Sequence, residues 1–173
     1  MKKLDTKTMV TASFLIALNI VLSRFVAIPG IINFGGFPII FGGIVFGPVV
    51  GGIVGGIGDV LSHFLKPTGP FMPHFVLTSA LTGIIPGILA KVLKVDWTKP
   101  ALWKIFVSIL VGQVITSVIM VPYFRNILFD HPLIVTMTKA ATRQAVNIPA
   151  YSVMLKLLVP VLYKAGAIKE ANV

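Results

Sequence analysis

The sequence predicts an all-α membrane protein, a bundle of six transmembrane helices with both termini cytoplasmic. Three observations lead there. The chain is 56% hydrophobic and only 12% charged, where a soluble domain would be about 25% charged. Its apolar residues fall into runs long enough to cross a bilayer, which takes roughly 20 residues. Its 15 Lys and Arg, against 5 Asp and Glu, collect around the ends of those runs. A length of 173 residues suits one domain, residues 1–173.

Thr8 to Ala27 is the first run. It has no small-residue cleavage site, and further apolar segments follow the Pro29-Gly30 turn, so it reads as a retained span rather than a signal peptide. Phe37 to Leu65 is longer, rich in glycine and broken at Gly47-Pro48. As one helix it would run about 43 Å at 1.5 Å per residue, against a hydrocarbon core of about 30 Å. Phe71 to Val92, Leu102 to Phe124 and Thr142 to Val161 supply three more. Charge settles the count, because Lys and Arg near span ends mark the cytoplasmic side. Lys2, Lys3 and Lys7 form one cluster, Lys91, Lys94, Lys99 and Lys104 a second, Lys156, Lys164 and Lys169 a third. An even number of crossings must separate successive clusters. Phe37 to Leu65 is therefore two short spans turning at Gly47-Pro48, and the spans number six.

A net charge of +10 would suit nucleic acid only on a solvated basic face, and here the charges punctuate apolar runs. The lipid bilayer is the expected partner, and nucleic acid is not. With no cysteine, disulfides and thiol chemistry are excluded. No phosphate-binding Gly-rich loop, His-Glu-x-x-His or Gly-x-Ser-x-Gly appears, so no ATP site, metal site, cofactor or catalytic residue is expected. Nor is there an evident inverted repeat of the kind secondary transporters carry. The chain reads as a non-enzymatic membrane protein that binds a solute and depends on a partner for energy.

Five cations remain on the outer side of this topology: Arg24, Lys66, Arg125, Lys139 and Arg143. The ordinary reading is snorkelling to lipid phosphates, and it suits Lys139 best. The alternative is an outward-facing pocket for an anion, since guanidinium forks match carboxylates. Arg24 and Arg143 are its best candidates. Asp59 is the acid placed well inside a span, at a cost of roughly 2.5–3.5 kcal/mol on insertion scales. It therefore faces protein or a water-filled cavity, either fixing the bundle or contacting a ligand. Gly51, Gly55, Asp59 and His63 are four apart, a slowly drifting stripe on one helix face, so Asp59 is expected where close glycine packing opens out. Gln144 and Asn147 flank Arg143, and Asn147 is one turn on from it. Asn19 and Gln113 read as interhelical hydrogen bonds. His63, His74 and Tyr123 complete the candidate binding set, the last among aromatics near the outer ends that could stack on a planar ring. On the first span Ala12, Ser13 and Ala17 form a smooth face for packing against a sibling span or a separate membrane subunit.

The segments Phe34-Gly35-Gly36-Phe37-Pro38-Ile39-Ile40-Phe41-Gly42-Gly43, Phe46-Gly47-Pro48-Val49-Val50-Gly51-Gly52 and Gly58-Asp59-Val60-Leu61 resemble the substrate-capture subunits, or S-components, of energy-coupling factor (ECF) vitamin transporters. Pro67-Thr68-Gly69-Pro70 and Phe75 to Gly83 continue the likeness. Leu22-Ser23-Arg24-Phe25 and Arg143 to Pro149 look most like the folate group. The resemblance implies a six-helix bacterial cell-membrane subunit that binds folate outside. It would dock on a membrane coupling subunit carrying two cytoplasmic ATPase subunits, with small residues of the first helix in the docking face. Ser13 departs from the more usual Ala there. Folate would meet Arg24 and Arg143 through its glutamate carboxylates, and Asp59 or Asn147 through its pterin. Other vitamins, such as pyridoxine, hydroxymethylpyrimidine or riboflavin, are the alternative within this class. A lipid-head-group enzyme is the alternative outside it.

Overall fold

The computed structural model describes residues 6–24, 34–65, 71–96 and 98–164. All regular structure among them is helical. Six helices follow in chain order: α1 (Thr6–Arg24), α2 (Gly36–Phe46), α3 (Pro48–Leu65), α4 (Pro73–Val92), α5 (Leu102–Phe129) and α6 (Leu133–Lys164). Five are long and apolar enough to cross a membrane. The exception is α2, whose eleven residues reach only about 16 Å.

The long glycine-rich stretch is two helices, and the break falls at Gly47-Pro48 as the charge parity requires. Gly47 has φ 101°, a left-handed conformation that a side chain disfavours. Pro48 opens α3, where its missing N–H costs nothing. Nine of the eleven α2 residues are buried, so this short helix is core.

Glycine sets the spacing of α2, α3 and α4. A Cβ on Gly43 would collide with the Gly83 carbonyl, and one on Gly55 with the Ser79 carbonyl. The three backbones touch directly, as small residues permit in membrane helices. Below this contact lies an apolar core in which Ile40, Val54, Ile105, Ile109, Leu155 and Val159 are fully buried. Large apolar side chains also cover the outside of the bundle, as Met9, Val10 and Phe14 do on α1. In a bilayer that is the solvated face.

Two helices differ from the expected spans. α6 starts at Leu133 rather than near Thr142. The polar residues that hid its first turns are absorbed by the helix itself: Thr136, Thr138 and Thr142 each return a hydroxyl to a carbonyl one turn back. α5 runs on to Phe129, and Val114–Met120 within it is wound as a π-helix. It ends at Asp130, which takes a left-handed φ of 50°. The Asp130 N–H donates to the Asn126 carbonyl and the His131 N–H to the Arg125 carbonyl, the first being the bond of an αL-type stop.

Candidate functional site

The bundle opens at one end into a cavity of about 570 Å³, within the usual range of roughly 300–1,000 Å³ for small-molecule sites. All six helices contribute. The C-terminal halves of α1, α3 and α5 meet the N-terminal halves of α2, α4 and α6 around it. Of the described lysines, Lys7, Lys91, Lys94, Lys99, Lys104, Lys156 and Lys164 lie toward the opposite end of the bundle, and Lys139, in the N-terminal part of α6, lies toward the cavity end.

One wall is the glycine-packed module. Gly51 lies against Gly43, Gly55 against Ser79, and one turn further on Asp59 and His63 face the cavity. Close packing opens at Asp59, as the four-residue stripe foretold. Ser62, Thr78, Ser79 and Thr82 add hydroxyls. Thr82 donates to the Thr116 hydroxyl at 3.1 Å, and Thr116 in turn to the Gly112 carbonyl at 2.8 Å, tying α4 to α5. Asn19 donates through Nδ2 to the Gly35 carbonyl at 2.7 Å, so it bridges helices as expected, yet it also lines the cavity.

The other wall carries the cations and amides. Arg143, Gln144, Asn147 and Tyr151 project from α6. Gln144 and Asn147 are 6% and 2% exposed, and among the described residues their carbonyl oxygens Oε1 and Oδ1 have no hydrogen-bond partner. A buried polar atom left unpaired costs about 1–3 kcal/mol, a cost that a ligand donor would remove. From α5 come Gln113, Ser117, Val121, Arg125 and Phe129. Ser117 donates to Gln113 Oε1 at 2.6 Å. Arg125 and Arg143 both line the cavity, and like charges in one cavity repel. Two guanidiniums entering one cavity call for an anion.

Asp59, His63, Arg143, Gln144 and Asn147 are thus brought together. His74 and Tyr123 are not. Both are exposed and pack on Phe124, at centroid distances of 5.2 and 6.0 Å, because their positions in α4 and α5 face away from the cavity. The Arg24 side chain lies outside the described residues, as do Lys66 and Pro67 to Pro70. Tyr151 was missed as a binding candidate, and Arg125, one of the five outer cations, was not singled out among them. Tyr151 follows Arg143 and Asn147 at the same four-residue step, a signal present in the sequence. Arg125 had none under α-helical periodicity. On α1, Ser13 and Ala17 are exposed, whereas Ala12 is 8% exposed and packed in the core beside Leu15. Ala12 is therefore unavailable to a partner, since it sits on the inward face of the helix.

The family model for the S component of ECF-type riboflavin transporters matches residues 3–164. A folate transporter of Clostridium novyi is 29% identical over 158 residues, covering 90% of this chain and 88% of the relative. A UPF0397 protein of Lactobacillus johnsonii is 27% identical, covering 96% and 91%. The crystal structure of the folate transporter FolT bound with folic acid superposes with a TM-score of 0.74. It covers 92% of this chain and 98% of that one at 22% identity, a likeness of fold. The family match extends from the start of α1 to the end of α6, and the chain belongs to the S-component family of ECF-type transporters, a multi-pass membrane protein of solute transport.

Proposed function

We propose that this S component captures folate from outside the cell and releases it inward after docking on an energy-coupling module. The observation that carries the reading is the pairing, in one cavity, of Arg125 and Arg143 with the unpartnered carbonyls of Gln144 and Asn147. Folate presents both complements: a glutamate tail with two carboxylates, and a pterin edge with N–H donors. Arg143 binds the tail, while Asn147, Gln144 and Asp59 read the pterin. Phe71, Phe75 and Tyr151 supply apolar and aromatic surface for its rings. The folate transporter among the relatives supports the same choice. Riboflavin, named by the family model, is the competing reading; it is neutral and leaves both guanidiniums unmatched.

Seven of the eight described lysines, all but Lys139, lie toward the end away from the cavity, which supports the orientation. By the positive-inside rule that end is the cytoplasmic one, which favours a cavity open to the outside. Energy comes from a membrane coupling subunit and two ATPase subunits, reached through the exposed face of α1 at Ser13 and Ala17.

Calorimetric titration of the purified chain with folate, riboflavin, pyridoxine and hydroxymethylpyrimidine tests the substrate. One-to-one binding of folate alone is expected; tight riboflavin binding without folate binding would sink the proposal. Undiminished folate affinity in Arg143→Ala would remove that residue from the tail site. Ala17→Trp should abolish uptake in reconstituted membranes and leave binding intact, and unimpaired uptake would move the docking face elsewhere.

A further inference from the structure

The cavity-lining residues of α5, Gln113, Ser117, Val121, Arg125 and Phe129, are spaced four apart. In an α-helix of 3.6 residues per turn, each such step overshoots a full turn by about 40°. Four steps accumulate about 160°, which would leave Phe129 on the face opposite Gln113 and turn Arg125 well aside. The chain avoids this because Val114–Met120 is π-wound. A π turn bonds i to i+5 and holds more than four residues, so a four-residue step falls short of a turn and drifts back. The Val121 N–H donates to the Thr116 carbonyl, five residues earlier. Pro122 follows, buried, with no N–H to donate and a ring that would clash with the Val118 carbonyl in an α-helix.

We propose that this π-wound segment, held by Pro122, sets the preference of the site for a dianionic ligand, by turning Arg125 into the cavity that Arg143 enters from α6. The inference rests on the folate reading above and says which part of folate is selected. Among the described residues neither guanidinium has an ion-pair partner. Two such groups, kept apart by mutual repulsion, match the two carboxylates of a glutamyl tail. A ligand with one carboxylate leaves one of them without a countercharge.

Folate and pteroate, which lacks the glutamyl tail and keeps one carboxylate, are titrated into the full-length chain in detergent. The parent is expected to bind folate about tenfold or more tightly than pteroate, as one charge-assisted contact allows. Arg125→Ala and Pro122→Ala should each erase that preference by weakening folate more than pteroate, with no further loss of preference in the double variant. Thermal melting establishes that each variant is folded. If Pro122→Ala does not fold, Arg125→Ala/Phe124→Arg decides. Phe124 lies outside the cavity lining and packs on His74, so the relocated arginine should not restore the preference. In an unbroken α-helix position 124 would face the cavity, eleven residues being close to three turns, and restoration would overturn the proposal. A folded Pro122→Ala with full preference would overturn it as well. Equal binding of folate and pteroate by the parent overturns it while leaving the folate reading in place. Absence of folate binding by the folded parent overturns that reading itself.

Discussion

Across the cavity, the α2–α3–α4 wall packs backbone on backbone, whereas the α5–α6 wall packs through side chains. On the first, Gly43, Gly51, Gly55 and Gly83 leave no room for a methyl group. Such a contact has one geometry, because backbones cannot change rotamer. On the second, Gly112 rests on the Pro86 ring, Thr82 meets Thr116, and the helix departs from α winding. The unpaired buried carbonyls belong to this side too. Glycine thus fixes the frame of one wall, while the α5–α6 side holds the unpaired amide carbonyls and the two described arginines of the cavity.

This division can be broken most severely at Gly51. An added Cβ would lie 2.5 Å from the Gly43 Cα, with no side chain free to yield. Gly51→Val should cost at or above the roughly 1–3 kcal/mol typical of overpacking, read as lost thermal stability or failure to purify as a folded species. Asn19→Ala removes the buried bond to the Gly35 carbonyl, a loss of about 0.5–1.5 kcal/mol. It should lower the melting temperature while folate affinity falls less than in the amide variants.

The opposite wall should answer in the opposite sense. Asn147→Leu removes an unpaired buried carbonyl, so the ligand-free protein should melt higher, by about 1 kcal/mol, as folate binding falls tenfold or more. Lower stability together with unchanged affinity would place Asn147 with the frame instead. The smallest effect is expected at Lys94, which caps α4 with φ 47°. Lys94→Gly relieves a left-handed residue and should stabilise by under about 1 kcal/mol, leaving binding untouched, because the cap lies at the end away from the cavity.

How much of this was legible follows residue by residue. The break at Gly47-Pro48 was readable because charge parity and local backbone chemistry agree there. Asp59 was readable because an acid inside an apolar helix needs a reason. The start of α6 was not, since Thr136, Thr138 and Thr142 look polar until each hydroxyl is spent on its own helix. Ala12, His74 and Tyr123 were placed on the wrong faces, because a small shift along a helix turns a side chain away by about 100° per residue.

By itself the sequence determined the membrane setting, the number of helices among the described residues and the break at Gly47-Pro48. Those depend on composition and on spacing along the chain, both local quantities. Only the tertiary structure decided which cation joins Arg143. Arg125 reaches the cavity through accumulated rotation over Val114–Met120, and the balance between α and π winding there is set by Pro122 together with the helices packed against it.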